Sequence, residues 1–359
     1  MSQFNIVQEK NKLNDVMDYD AIVDLFNWSD EQLPELFAKA DVIRQENVGE
    51  EVHLRAIIEF SNYCVSHCLY CGLRCENRKL VRYRLSTGQI YQAVQKAVDL
   101  KFKTIILQSG EDPNYRATDI ARMIEWIKSR HDIAITLSVG ERAREEYRLW
   151  REAGADRYLL KHETADEILY QRLKPGRSFL DRIRCLWDLK DLGYQVGSGN
   201  MVGLPGQSIE SLARDVFLMR ELDIEMAGIG PFLPHPDTPL ANDPAGSLPL
   251  TLKTLAITRL CLPTVHLPAT TALTTMAIDA RRQAMQLGAN VVMVNLTPLT
   301  VRDKYCIYPQ KAEIIEEPEI SLNKLKILFN DLRRPISGDY GHGLKKANRP
   351  SIEKKEVMI

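Results

Sequence analysis

Glu59-Phe60-Ser61-Asn62-Tyr63-Cys64-Val65-Ser66-His67-Cys68-Leu69-Tyr70-Cys71-Gly72 is the stretch on which the reading of this chain turns. The residues before it, Val52–Phe60, carry the β-branched and aromatic content of a strand. The three cysteines follow at spacing Cys-x3-Cys-x2-Cys, close enough to reach one metal centre from one loop. Iron–sulfur cubanes normally take four thiolates, so three leave one metal short of a protein ligand. An open coordination position does chemistry where a closed one only holds structure. Seven cysteines in 359 positions would produce this spacing by chance about 0.003 times.

Working outward, the same strand-then-helix rhythm repeats to residue 296. Strands are expected over 52–60, 104–108, 133–138, 157–162, 195–202, 226–232, 266–272 and 290–295, with helical periodicity between them. Eight strands, each but the last followed by a helix, fit an α/β fold of the closed (β/α)8 TIM type, whose usual size is about 250 residues. A doubly wound open sheet would carry a nucleotide fingerprint, and Gly197-x-Gly199 with Gly203 does not complete one. Residues 1–50 read as an N-terminal helical cap, with Asp18 as an N-cap and Ser29 with Gln32 as a capping box. Residues 51–296 are the barrel. Residues 297–359, with five prolines and one amphipathic helix over 321–332, read as an extension closing the barrel, its end from 337 poorly ordered.

Composition sets bounds on partners. Lys+Arg 47 against Asp+Glu 48 leaves a net charge of −1, which offers no electrostatic case for nucleic acid. The N-terminus lacks a basic segment followed by an apolar run, and no eighteen apolar residues run together, so neither a secretory signal nor a membrane span is expected. Cysteines in such a chain point to a reducing, cytoplasmic setting and to metal binding instead of disulfides.

Reactive groups of this barrel collect on the loops after the strand C-termini. The polar residues there are Gln108 to Asp112 after the second strand, Thr136, Ser138 and Glu141 around the third, and Lys161, His162 and Glu163 after the fourth. Ser198, Asn200 and Met201 follow the fifth, and Thr270 and Thr271 the seventh. One Ser or Thr at a strand end more often satisfies backbone than touches a ligand. The cluster is what carries weight.

Cys64-x3-Cys68-x2-Cys71, with Tyr70 before the last cysteine, resembles the signature of the radical SAM superfamily. Those enzymes hold a 4Fe–4S cluster by three cysteines, bind S-adenosyl-L-methionine (SAM) at the fourth iron, and cleave it reductively to a 5′-deoxyadenosyl radical. Five longer strings, at 107–113, 156–164, 201–207, 228–240 and 268–271, are similar within it to the HydE family of FeFe-hydrogenase H-cluster maturases. The resemblance covers about residues 52–310.

It implies that Cys64, Cys68 and Cys71 hold the cluster, and that Gly110, Glu111 and Asp112 hold the methionine amino group of SAM. Glu163 would meet its ribose or amino group and Arg182 its carboxylate. Met201 and Ile229 would lie near the adenine, Ser138 would join the cofactor-binding set on the side toward substrate, and Tyr70 would wall the cluster. Thr136, Arg157, Lys161, Thr270, Thr271, Tyr305 and Tyr308 would line the substrate end. The implied substrate is an organometallic iron–cysteine complex carrying carbon monoxide and cyanide, supplied by a partner maturase, with ferredoxin or flavodoxin as electron donor. Lys161 stands where such enzymes often have arginine, keeping the charge without the planar fork.

Other readings remain open at this point. Another enzyme of the biotin synthase branch, inserting sulfur or rearranging an amino acid, has the same cysteine loop. A non-catalytic zinc scaffold would need a fourth ligand, with Cys75 or His67 the candidates. Otherwise Cys75 is a bystander and His67 faces solvent or backbone. Cys185 and Cys261 are packing residues. Cys306, alone near the C-terminal side, does not suffice for a second cluster.

Overall fold

The structure, a computed structural model, describes residues 17–309 and 316–344. The expectations for residues 1–16 and 345–359 fall outside the described residues. Two N-terminal helices, α1 (Tyr19–Asn27) and α2 (Leu33–Val48), precede the sheet. Asp18 caps α1 by accepting from the Ala21 N–H at 2.9 Å, and the Ser29 N–H donates to Gln32 Oε1 at 3.0 Å, as the sequence predicts.

The barrel strands are β1 (His53–Ser61), β2 (Thr104–Ser109), β3 (Ala134–Ser138), β4 (Arg157–Leu159), β5 (Gln195–Ser198), β7 (Met226–Ala227) and β9 (Val291–Asn295). They form one parallel sheet in the order β7-β5-β4-β3-β2-β1-β9. Two short strands, β6 (Met201–Val202) and β8 (Gly230–Pro231), pair with each other above it. The helices between are α3 (Thr87–Asp99), α4 (Ala117–Arg130), α5 (Arg144–Glu152), α6 (Glu167–Leu173), α7 (Phe179–Asp191), α8 (Ile209–Glu221), α9 (Leu248–Cys261), α10 (Thr271–Met276) and α11 (Ala280–Met285). After β9 come α12 (Leu299–Arg302) and α13 (Pro318–Asp331). Ser86, Ser178, Ser208 and Ser247 cap α3, α7, α8 and α9, each accepting from the third N–H of its helix.

The seventh expected strand, 266–272, is not a ladder. It makes single bridges, Met226 to His266 and Pro268 to Val291. Those bridges still join the two edges of the sheet, with Ala227 N bonding His266 O and Ala269 N bonding Val291 O. Pro268 has no N–H to give a ladder, and α10 begins at Thr271, so the strand cannot lengthen. The edges that the break would expose are thus covered.

In-register pairing sets the strand ends level. Glu59 pairs with Gln108, and Gln108 with Ser138. The apolar core lies between the sheet and its helices, where Ala56, Ile58, Ile105, Leu107, Ile135 and Leu137 join Ile90, Val94, Ile124 and Ile127. Outside, α2 lies along α9 and α1 along α8. Residues 335–343, from 337 on expected to be loose, instead cross the N-terminal end of the barrel: Ser337 N bonds Val52 O, and Gly343 N bonds Gln195 Oε1 at 2.8 Å.

Candidate active site at the C-terminal face of the barrel

The cysteine loop leaves β1 at Ser61 and is pinned on all sides. Asn62 donates to the carbonyls of Val81 and Lys304, both at 2.8 Å, and accepts from Tyr83 N at 2.7 Å. Arg82 reaches back to the carbonyls of Asn62, Leu73 and Arg74 at 2.6–2.9 Å. Leu69 N bonds Leu173 O, and Gly72 N bonds Ile307 O. Cys64 Sγ accepts from the N–H groups of Ser66 and Glu111, each at 3.4 Å. Tyr70 sits against the loop, packed with Leu169, Leu173, Leu204 and Phe232. Burial pushes the Cys68 and Cys71 thiols up, so bare thiols stay protonated at neutral pH and a metal must displace the proton.

These observations fit a three-thiolate iron–sulfur centre. Backbone N–H groups aimed at Cys64 Sγ suit a thiolate, since N–H donors stabilise sulfur charge around such clusters. Gly110 is needed for this closeness: a Cβ there would lie 2.3 Å from Tyr63 O and 2.8 Å from Cys64 Cβ.

The loop after β2 carries the carboxylates. Asp112 is fully buried and closed in by its own partners, accepting from Ser61 Oγ at 2.6 Å and from both Nε and Nη2 of Arg84 at 2.7 and 2.9 Å. That bidentate clamp fixes the loop instead of leaving the Asp112 carboxylate open. Glu111 faces the cysteine loop. Its Oε2 accepts from Ser66 Oγ at 2.7 Å, and Arg177 closes on the same oxygen. Burial opposes its charge, but the Arg177 and Arg182 guanidinium groups outweigh that and hold the carboxyl below the usual range. Gly140, at φ +80°, gives it room, since a Cβ would fall 2.1 Å from Glu111 Cγ. Glu141 extends the ring by pairing with Arg177 at 3.1 Å and with buried Arg182 at 2.7 Å.

The fourth and fifth strand ends complete the rim. Glu163 adopts φ +70°, uncommon for a non-glycine residue, and is bracketed by backbone bonds from Glu163 N to Gly199 O and from Met201 N to Glu163 O. Lys161 Nζ stands 3.2 Å from Glu163 Oε2. Thr270 Oγ1 donates to the carbonyl of buried Ile229 at 3.3 Å, and Thr271 opens α10 beside it. Ser138 ends β3 level with Gln108. Tyr305 is buried and its hydroxyl accepts from Gln108 Nε2 at 3.1 Å. Tyr308 lies three residues on, its carbonyl accepting from Cys306 Sγ at 3.5 Å.

Arg157 is placed elsewhere. It is the first residue of β4, at the opposite end of the barrel, and bonds Thr104 Oγ1, Gln195 Oε1 and Tyr340 O at 3.1, 3.2 and 2.6 Å. Thr136, mid-strand, faces the same floor cavity with Arg55 and His266, its hydroxyl buried without a hydrogen-bond partner. The sequence reading missed Arg177, Ser66 and Arg84. Arg177 had a faint signal, in the Lys174-Pro-Gly-Arg turn just before the Ser178 cap of α7.

Comparisons with known proteins agree with this geometry. Residues 58–219 match the model of the Radical SAM superfamily. The [FeFe] hydrogenase maturase subunit HydE of Thermotoga maritima is 49% identical over 85% of this chain and 88% of its own. The 3-methylornithine synthase of Methanosarcina acetivorans is 32% identical over 74% and 75%. A solved methylornithine synthase superposes with a TM-score of 0.79 at 26% identity, covering 91% of this chain and 97% of that one. The chain belongs to the radical SAM superfamily, on the branch of it that includes HydE.

Proposed function

We propose that the chain is the HydE-type maturase of an FeFe hydrogenase, acting on a small iron–cysteine complex that carries carbon monoxide and cyanide. The observation that carries the reading is a three-cysteine loop locked against the Glu111–Arg177–Glu141–Arg182 ring, in a chain 49% identical to HydE over 85% of its length. Cys64, Cys68 and Cys71 hold the 4Fe–4S cluster. Once bound there, the cluster and SAM supply a 5′-deoxyadenosyl radical by one-electron reductive cleavage.

The protein's own part is binding and orientation. The carboxylates Glu111 and Glu163 serve the cationic end of SAM, and Arg182 its carboxylate; opposite charges held on rigid elements orient a zwitterion in one direction. Met201 and the Ile229 backbone flank the adenine. Lys161, Thr270, Thr271 and Tyr308 offer cationic and hydroxyl donors to an anionic substrate. Asp112 acts through the loop it clamps. The Cys64 loop, Tyr70 and Tyr305 exclude water from the space between. Ferredoxin or flavodoxin supplies the electron, and the cytoplasm is the setting.

Anaerobic reconstitution tests the enzyme: about four irons per chain, with 5′-deoxyadenosine released under dithionite. Alanine at Cys64, Cys68 or Cys71 abolishes release. A colourless protein with one tightly held zinc in that loop sinks the reading. The maturase role has its own test, in a host whose FeFe hydrogenase lacks only this maturase. Restored hydrogen evolution is expected; a SAM-cleaving protein that restores none belongs to another branch member.

A further inference from the structure

The cysteine loop has an outer face that the cluster site does not use. After Cys71 the chain turns back on itself through Arg74 N to Cys71 O at 3.1 Å, Cys75 N to Ser66 O at 3.0 Å and Asn77 Nδ2 to Gly72 O at 2.8 Å. Arg82 locks the same turn from beneath, through the carbonyls of Leu73 and Arg74. This rigid turn brings His67, Cys75 and Glu76 together. Their ligand atoms all lie within 4.8 Å of one another, and Cys75 Sγ is 3.1 Å from His67 Nδ1. Glu76 divides its oxygens: Oε1 contacts His67 Nδ1, while Oε2 is 3.2 Å from Arg74 Nη2.

We propose that His67, Cys75 and Glu76 form a second metal site, for Zn2+, on the outer rim of the cysteine loop. One nitrogen, one thiolate sulfur and one carboxylate oxygen are the donor types that zinc takes, and a tetrahedral ion needs them about 3.5 Å apart. The present spread closes to that by small side-chain rotations, because His67 and Glu76 are half exposed, at 50% and 44% of their side-chain surface. Arg74 on the far oxygen orients the carboxylate, the outer-shell support that metal ligands commonly have. Three protein donors leave a fourth position facing solvent, open to water or to a donor from another molecule. The site shares no ligand with the cluster, so an ion there leaves Cys64, Cys68 and Cys71 free for iron.

The test uses reconstituted holoenzyme, whose cluster already occupies those three cysteines. It is dialysed anaerobically against buffered zinc, and zinc and iron are counted in the same sample. Wild type is expected to retain one zinc per chain with its iron unchanged. His67→Ala and Cys75→Ala are expected to bind zinc at least about tenfold more weakly, with iron content and SAM cleavage as in wild type. Glu76→Gln falls between. Four results overturn the proposal: no zinc on wild type, equal zinc on wild type and variants, zinc gained at the expense of iron, or loss of the cluster in Cys75→Ala. Iron content and SAM cleavage in each variant also show that it has folded.

Discussion

Glu111 lies between a guanidinium and the cysteine loop, so its charge decides whether the β2 loop, α7 and the cysteines stay joined. Its folded pKa is depressed from 4.5: burial raises it, and Arg177 and Arg182 more than offset that. A depressed carboxyl contributes stability above its unfolded pKa and loses it as pH falls through the folded value. Arg177→Ala is therefore expected to cost the cluster-free chain about 1–2 kcal/mol at pH 7, between the values for exposed and buried pairs. The gap from wild type should close as pH drops below the ordinary carboxyl range and through the depressed folded value. Urea titrations at a series of pH values read this directly; a gap that stays constant with pH means that the lost stability is packing, not charge. Gly140 tests the neighbouring requirement. Gly140→Ala puts a side chain at φ +80° and into Glu111 Cγ, costing about 1 kcal/mol or more. It should weaken SAM binding several-fold while iron content holds; unchanged SAM affinity would detach Glu111 from that role.

At the scale of elements, a buried network ties the end of β4 to β5, β6 and α8. Asp215, fully buried on α8, takes the Ala165 N–H and Asn200 Nδ2, the latter at 2.9 Å. His162 Nε2 stands 3.5 Å from it, and His162 Nδ1 is 3.0 Å from Ser198 Oγ. Glu163, between these groups, is thereby held at its positive φ. Asp215→Ala strands several buried donors and is expected to cost about 3–5 kcal/mol. Asp215→Asn keeps the shape but not the charge, and should raise the KM for SAM more than it lowers kcat. An Asp215→Asn enzyme with wild-type KM would make the network purely structural. None of this is visible in the sequence, where Asp215 is one more acidic residue on an amphipathic helix. What was legible is what period and spacing encode: the caps at Asp18 and Ser29, the strand and helix order, and three cysteines in eight positions. The break of β5 before β6 and the reduction of 266–269 to single bridges depend on how distant chains meet. Arg157 shows the same limit. The family resemblance implies it at the substrate end, but its position first in β4 puts it on the floor.

The whole molecule has two unlike ends. At the C-terminal face charged groups pair with each other across loops. At the floor, Arg55 and Arg157 are buried at 1% and 4% exposure, and no carboxylate among the described residues is hydrogen-bonded to them. Besides barrel partners (Met226 Sδ for Arg55, Thr104 and Gln195 for Arg157), they bond backbone carbonyls of the crossing segment, Gly341 O for Arg55 and Tyr340 O for Arg157, at 3.1 and 2.6 Å. Burial lowers the Arg157 pKa to about 10, which still leaves it charged at neutral pH. His266 Nε2 also meets His342 O at 3.0 Å, and His53 Nδ1 is 3.1 Å from Asp339 Oδ1. The segment thus seals one end of the barrel through partners that the barrel itself does not supply. Ending the chain after Pro335 removes these contacts but admits water to the guanidinium groups, so the net loss should be moderate, about 2–4 kcal/mol. For a chain of this size that is a fall in melting temperature of roughly 3–5 °C. Hydrogen exchange should quicken at the N-terminal ends of β1 and β4 and over 266–269. Cluster content and SAM cleavage should persist, because the cysteine loop is a barrel length away. If cleavage is lost while the cluster remains, the floor is coupled to the radical site and the two ends are not independent.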